Sequence, residues 1–223
     1  MTPGWQVPVA LSTALAGQAF AIESPLPETE RYQVDQLLRL ACRILKISPD
    51  EVLRRARLPA FYLWSKDKGV TAEQYFVLWT SMEACYGKRH MAQKLGIALA
   101  HGPFMPAFFA FSCSPDICAG IERISLFKPL VGPLELITDL QDSAFDVQIR
   151  PTKPSMYMSA TQAYCEAVIF LELCRTHTAT HIRPLEVSLP DPTVADQSYF
   201  GVEPRRRAYT RMKLAKGRDP TAS

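Results

Sequence analysis

The chain has 223 residues, of which 48% are hydrophobic and 21% are charged. This balance is typical of a globular protein and excludes wholesale disorder, because enough apolar material is present to offset the entropy lost on folding. The length predicts one large domain or two small ones, at about 150 residues per domain. After the N-terminal segment, no run of about 18 uncharged apolar residues predicts a membrane span.

Residues 1–30 contain four prolines and predict a flexible N-terminal arm. Helical periodicity follows. Ser48-Pro-Asp-Glu51 and Thr71-Ala-Glu-Gln74 have the pattern of capping boxes, which predicts a helix start at each. Ser114-Pro-Asp116 predicts a further start. Pro129 and Pro133 are expected to end this helical half of the chain.

From Leu134 the hydrophobic period changes from 3.6 to 2. Residues 134–140 and 145–150 predict a β-hairpin with one buried face and one wet face, and Asp146 falls on the wet face. Ser159-Ala-Thr-Gln162 is a third capping box and predicts a long helix that ends near His177. Alternation predicts two more strands, at 185–189 and 208–214. The expected class is α+β: an N-terminal helical half followed by a small antiparallel sheet with a long packed helix.

The net charge of +3 is unevenly distributed. Seven basic residues lie between Glu203 and the C-terminus, so the end of the chain is basic while the rest is slightly acidic. A protein that binds nucleic acid over its whole surface would be basic throughout. Arg205-Arg-Arg207 therefore predicts a solvated turn or, alternatively, a local contact with phosphates.

Catalytic and cofactor motifs are absent from the sequence. It contains no G-x-G-x-x-G, no P-loop and no G-x-S-x-G, so we expect no cofactor. His177 and His181 have a spacing that would face both imidazoles to one side of a helix, but the glutamate of H-E-x-x-H is missing. They are interpreted as histidines at a helix C-terminus rather than metal ligands. No C-x-x-C pair occurs among the six cysteines, and Cys113 and Cys118 are predicted to pack in the core.

The segment Phe104–Phe111 is unusually aromatic. It predicts either a helix buried on most sides or one wall of an apolar pocket for a small organic effector. Other aromatic side chains with polar tips could complete such a pocket. The candidate ligand-binding residues are Tyr75, Trp79, Phe108, Phe111 and Tyr164.

Several segments occur in an order that matches a known family. They are Ile47-Ser-Pro-Asp-Glu-Val-Leu53, Val70-Thr-Ala-Glu-Gln-Tyr-Phe-Val-Leu-Trp79, Phe111-Ser-Cys-Ser-Pro-Asp-Ile117, Arg183-Pro-Leu-Glu-Val-Ser-Leu-Pro190 and Tyr199-Phe-Gly-Val202. Together they resemble the N-terminal effector-binding domain of AraC-type transcriptional regulators of the arabinose-binding type. The resemblance implies a small organic effector, a homodimer, and a C-terminal domain with two helix-turn-helix motifs.

The expected organisation is a flexible arm (1–30), an effector-binding domain (31–215) and a disordered tail (216–223), with the helix-turn-helix domain absent. The expected function is ligand sensing by a cytoplasmic regulator truncated before its DNA-binding domain. Such a chain would contact DNA only through the missing domain and would not contact a membrane. The alternatives are a small metal-dependent enzyme that uses His177, His181 and nearby cysteines, or a stand-alone dimerisation module.

Overall fold

A computed structural model describes residues 31–63, 69–102, 106–141, 143–178 and 181–215. The predicted arm (1–30) and tail (216–223) lie outside the described residues. So do Phe104 and Met105, which belong to the aromatic segment.

Within the described ranges six helices come first, and the strands of one sheet follow with two further helices between them. The helices are α1 (Asp35–Leu45), α2 (Pro49–Arg55), α3 (Ala72–Tyr86), α4 (Met91–Ala100), α5 (Pro106–Ser112), α6 (Ile117–Val131), α7 (Ala160–Thr178) and α8 (Gln197–Phe200). The strands are β1 (Leu134–Leu140), β2 (Ala144–Pro151), β3 (Glu186–Leu189), β4 (Arg205–Arg206) and β5 (Thr210–Ala215). Short 3-10 turns lie at Ala60–Leu63 and Pro192–Val194. This order confirms the predicted α+β class.

Side-chain caps begin the helices where the sequence predicts them. The Ser48 hydroxyl accepts the Glu51 N–H at the start of α2. Thr71 forms both hydrogen bonds of a capping box at the start of α3, and Asp116 accepts the Ala119 N–H at 2.8 Å at the start of α6. These bonds satisfy backbone donors that have no partner inside the helix. At its other end, α6 continues through Pro129 to Val131, beyond the predicted stop.

The sheet has the strand order β1-β2-β5-β3-β4. All neighbouring pairs are antiparallel except β3 and β4, which are parallel. Phe145, Val147 and Ile149 are buried on β2, as the alternation predicts, and Val147 lies opposite Met212 of β5. The sequence did not predict β4, because two charged residues carry no periodic signal.

The predicted wet position of Asp146 is wrong, since its side chain is buried. The Arg211 Nε donates to both Asp146 carboxylate oxygens at 2.8 Å, from the neighbouring strand β5. The long Arg211 side chain covers the carboxylate and pairs its charge. A charge that alternation assigns to solvent is therefore buried within an ion pair on the outer face of the sheet.

Helix α7 lies at the centre of the core, and every residue from Gln162 to Leu171 is buried. Helix α4 approaches it closely at Gly96. A Cβ atom at that position would lie 2.7 Å from Val168 Cγ1 and 3.0 Å from the Cys165 carbonyl oxygen. Both distances are shorter than van der Waals contact, so this approach of α4 and α7 requires glycine.

The C-terminal part of α7 is fixed by a polar network around Glu172. Its carboxylate accepts hydrogen bonds from Tyr199 (2.7 Å) and Arg175 (2.8 Å) and bonds His101 at 2.7 Å. Burial acts to raise the pKa of Glu172, but the bonds from these three side chains outweigh burial and lower it. The network joins the end of α4, helix α7 and helix α8.

We predict that Gly96→Ala destabilises the domain, although alanine favours a helix by about 1 kcal/mol over glycine. The added methyl group overpacks the contact with α7, at a cost of about 1–3 kcal/mol. Urea unfolding measures the change. The double variant Gly96→Ala/Val168→Ala should lose less than the sum of the two single losses, because Val168 is a side chain that the methyl group meets. A stabilised Gly96→Ala variant contradicts the packing argument.

Candidate functional site

An apolar cavity of about 60 Å³ lies where the helices meet the sheet. Two helices supply stripes of side chains at helical spacing: α7 supplies 166, 169, 170 and 173, and α6 supplies 124, 128 and 131. The lining residues are Leu37, Tyr75, Trp79, Leu99, Ala107, Phe108, Ile124, Lys128, Val131, Leu136, Ile149, Glu166, Ile169, Phe170 and Leu173.

Three of the candidate aromatic residues line this cavity. Tyr75 and Trp79 project from α3, and Phe108 projects from α5. Sequence reasoning missed the aliphatic part of the wall, which includes Leu136 and Ile169, because its pattern is the same as that of ordinary core residues.

The other two candidates, Phe111 and Tyr164, lie elsewhere in the described core. Phe111 is fully buried, and its ring centroid lies 5.4 Å from that of His177 in a T-shaped arrangement. The Tyr164 hydroxyl donates to Gln93 and accepts the Asp196 N–H at 3.2 Å. Burial raises the Tyr164 pKa to about 12. Both side chains fix packing between elements.

A single ion pair forms the charged part of the cavity wall. Lys128 Nζ donates to Glu166 Oε2 at 2.5 Å, and only 15% and 6% of the two side chains are exposed. Sequence analysis missed both residues. The one available signal was a lone glutamate in the otherwise apolar segment 163–171, which is consistent with a buried acid that needs a partner.

Tyr75 lies beside this ion pair in a fully buried position. Burial, together with the negative charge of Glu166, raises the pKa of the Tyr75 phenol, so it stays protonated as a hydrogen-bond donor. The ring fits there because a Cβ atom at residue 132 would lie 2.8–2.9 Å from it, and Gly132 has none.

The third predicted capping box is only half formed. Ser159 Oγ accepts the Gln162 N–H at 3.0 Å. The Gln162 side chain does not return the bond and is fully buried near the Tyr75 phenol. Neither polar atom of this amide makes a hydrogen bond of ordinary geometry to a described residue. The core therefore holds unused donor and acceptor capacity beside Tyr75.

The predicted histidine and cysteine positions are only partly confirmed. Helix α7 ends at Thr178, so His181 lies beyond it and is exposed. Cys113 is also exposed, contrary to the predicted core position, because it follows the end of α5. Burial raises the pKa of Cys42 to about 11. Among the described residues, no group of three or more His, Cys, Asp or Glu side chains could hold a metal ion.

A second candidate site is a charged cleft on the surface, which is less selective for the charge of a ligand. A polar cleft of about 440 Å³ beside the start of α4 is lined by Lys88, Arg89 and His90, but also by Glu83 and Asp196. Its charges are mixed, so it favours no ligand of one sign.

The basic C-terminal segment is partly paired within the domain. Arg206 bonds Asp191 at 3.0 Å, and Arg211 bonds Asp146. These two arginines therefore contribute less free positive charge than the sequence indicates.

An apolar cavity with a few polar groups between packed elements is typical of small-molecule-binding domains. Residues 47–211 match the N-terminal arabinose-binding domain of AraC transcription regulators, and the chain belongs to this family. It is a family of regulatory ligand-binding domains, not of enzymes. No curated protein matches the chain. Among the helices described, none has both the length and the apolar character needed to cross a membrane.

We predict that Lys128→Met destabilises the domain by about 3–5 kcal/mol, because it leaves the Glu166 charge buried without a partner. The double variant Lys128→Met/Glu166→Gln should recover most of this loss, since no buried charge remains. Urea unfolding at pH 7 measures both variants. Arg150→Met is the matched control: it removes the more exposed Arg150–Glu135 pair and should cost less than about 1 kcal/mol. Equal losses in the single and double variants contradict the argument.

Proposed function

We propose that this domain regulates transcription by binding a small organic effector in the apolar cavity, with Tyr75, Trp79 and Phe108 in contact with it. The proposal rests on which elements of the fold supply the cavity walls. Helices α1, α3, α4, α5, α6 and α7 and strands β1 and β2 all contribute residues. An occupant would therefore contact both the helical half and the sheet.

The size of the cavity suggests how occupancy is detected. An apolar cavity that holds benzene has a volume of about 150 Å³, whereas this cavity has about 60 Å³. A ring-sized effector that is enclosed in this cavity would therefore have to move a wall as it binds. The ligand then favours the enlarged arrangement over the empty one, and this differential affinity is what shifts a conformational equilibrium.

The output of the shift would be the presentation of a helix-turn-helix domain, and DNA contacts would belong to that domain. That this domain works together with such a helix-turn-helix domain stays a prediction, as does its cytoplasmic location. Sequencing the DNA immediately downstream tests the first: an open reading frame for two helix-turn-helix motifs, in phase or one frame off, would support it.

We also propose that the domain works as a homodimer through the outer face of α6. Leu126 and Leu130 lie one turn apart on that helix and are 71% and 68% exposed. A symmetric dimer would bring the same apolar surface together from both copies and remove it from water.

We predict that a library of small hydrophobic acids, amines, alcohols and sugars contains compounds that raise the melting temperature of the wild type. Ala107→Leu should abolish these shifts, because its larger side chain fills the cavity from α5. Ala110→Leu is the control on the same helix; residue 110 does not line the cavity, so shifts should persist. Differential scanning fluorimetry measures all three proteins. Compounds that stabilise the wild type and Ala107→Leu equally contradict the proposed site.

For the dimer, we predict that Leu126→Lys/Leu130→Lys weakens self-association at least about tenfold, because charges replace the apolar contact. Sedimentation velocity at several concentrations measures it. The control is Val77→Lys, which places a charge at another exposed apolar residue. A strictly monomeric wild type contradicts the homodimer.

A further inference from the structure

The cavity can satisfy few polar groups of a ligand. Of its fifteen lining residues, eleven have wholly apolar side chains. The four others are Tyr75, Trp79, Lys128 and Glu166, and the last two are bonded to each other. Each ligand hydroxyl that enters gives up its bonds to water and needs a partner in return. A free sugar, with a hydroxyl on nearly every carbon, would leave most of its hydroxyls unsatisfied here.

The cavity also has no net charge to offer. Lys128 and Glu166 carry opposite charges and pair at 2.5 Å. A ligand carboxylate that bonds Lys128 beside Glu166 brings a second negative charge to one ammonium, and a ligand ammonium that bonds Glu166 brings a second positive charge to one carboxylate. Either leaves one buried charge without a partner, which is strongly unfavourable. The paired wall therefore selects against charged ligands of both signs.

At Tyr75 the cavity wall has a hydrogen-bonding group that is available to a ligand. Tyr75 is a wall residue whose phenol stays protonated. The Gln162 amide does not line the cavity; it lies within reach of the phenol, as Trp79 does, but makes no hydrogen bond of ordinary geometry. A single hydroxyl or carbonyl of a ligand can bond the Tyr75 phenol without disturbing the ion pair. A hydrogen bond in so apolar a surrounding discriminates strongly between ligands that have the polar group and those that lack it.

We infer that the cavity takes an uncharged, largely apolar ring compound with one or two hydrogen-bonding groups, such as a phenol, a cyclic alcohol or a cyclic ketone, and does not take a free sugar. This inference rests on the proposed function, because it assigns the ligand class of the same cavity. The Tyr75 phenol binds the polar group, and the aliphatic and aromatic wall covers the ring.

Four small molecules that differ in polarity and charge test the inference by isothermal titration calorimetry at pH 7. They are p-cresol, toluene, p-toluate and L-arabinose. The first three share a methylbenzene body and differ in one group: a neutral hydroxyl, none, or a charged carboxylate. We expect p-cresol to bind at least about tenfold more tightly than toluene or p-toluate, and L-arabinose to give no saturable binding.

Two variants locate the effect. Tyr75→Phe should weaken p-cresol about tenfold and leave toluene unchanged, because only the hydroxyl partner is lost. Ala107→Leu should abolish binding of both, which assigns the binding to the cavity.

The possible failures are distinguishable. Binding of p-toluate or L-arabinose as tight as that of p-cresol, and lost in Ala107→Leu, overturns the ligand class while the cavity remains the effector site. Equal binding of toluene and p-cresol overturns the role of the hydroxyl. Absence of binding by all four probes to a wild type that unfolds cooperatively, with no stabilising compound in the wider library, overturns the inference and the proposed function together.

Discussion

The constraint on which this structure depends is the complete burial of the central part of α7. A helix that is covered on every side cannot direct its polar side chains to water, so each either finds a partner inside the protein or stays unsatisfied at a cost in free energy. Glu166 finds Lys128 on α6. The α7 backbone takes part as well, because the Ala163 carbonyl accepts the Thr210 hydroxyl of β5 at 3.2 Å. The need to pair the polar groups of buried α7 therefore helps to position the helix, the sheet and the ion pair.

The same requirement explains the character of the cavity. The stripe of α7 that faces the cavity consists of Glu166 and three apolar residues. The facing stripe of α6 consists of Lys128 and two apolar residues. The two charges pair with each other, so the space between the helices has apolar walls and a neutral polar end. Helix α4 packs closely against α7 at Gly96 and also lines the cavity through Leu99, so the same pair of helices fixes one side of that space.

Local signals predicted much of this fold. Ser48, Thr71 and Asp116 begin their helices as predicted because a cap depends only on residues three positions apart. Alternation predicted β2 and β5 for the same reason. Those patterns do not specify partners that are distant in the chain. Lys128 and Glu166 are 38 positions apart, and the burial of Asp146 depends on Arg211, 65 positions away.

The candidate site was predictable to a similar extent. Aromatic density pointed to Tyr75, Trp79 and Phe108, which line the cavity. It pointed equally to Phe111 and Tyr164, because a bulky ring in an apolar segment has the same pattern whether it faces a void or a neighbour. The direction of each ring is decided by contacts such as that of Tyr164 with Asp196, across 32 positions.

The incomplete capping box at the start of α7 has a thermodynamic consequence for a receptor. A buried amide without partners costs about 1–3 kcal/mol, so the empty domain gives up stability that a completed box would have supplied. Gln162 lies beside Tyr75, which lines the cavity, so a guest that shifts this wall and gives the amide a partner would recover that cost in addition to the energy of its own contacts. Gln162 therefore widens the free-energy gap between the vacant and the occupied domain, and it does so by weakening the vacant one.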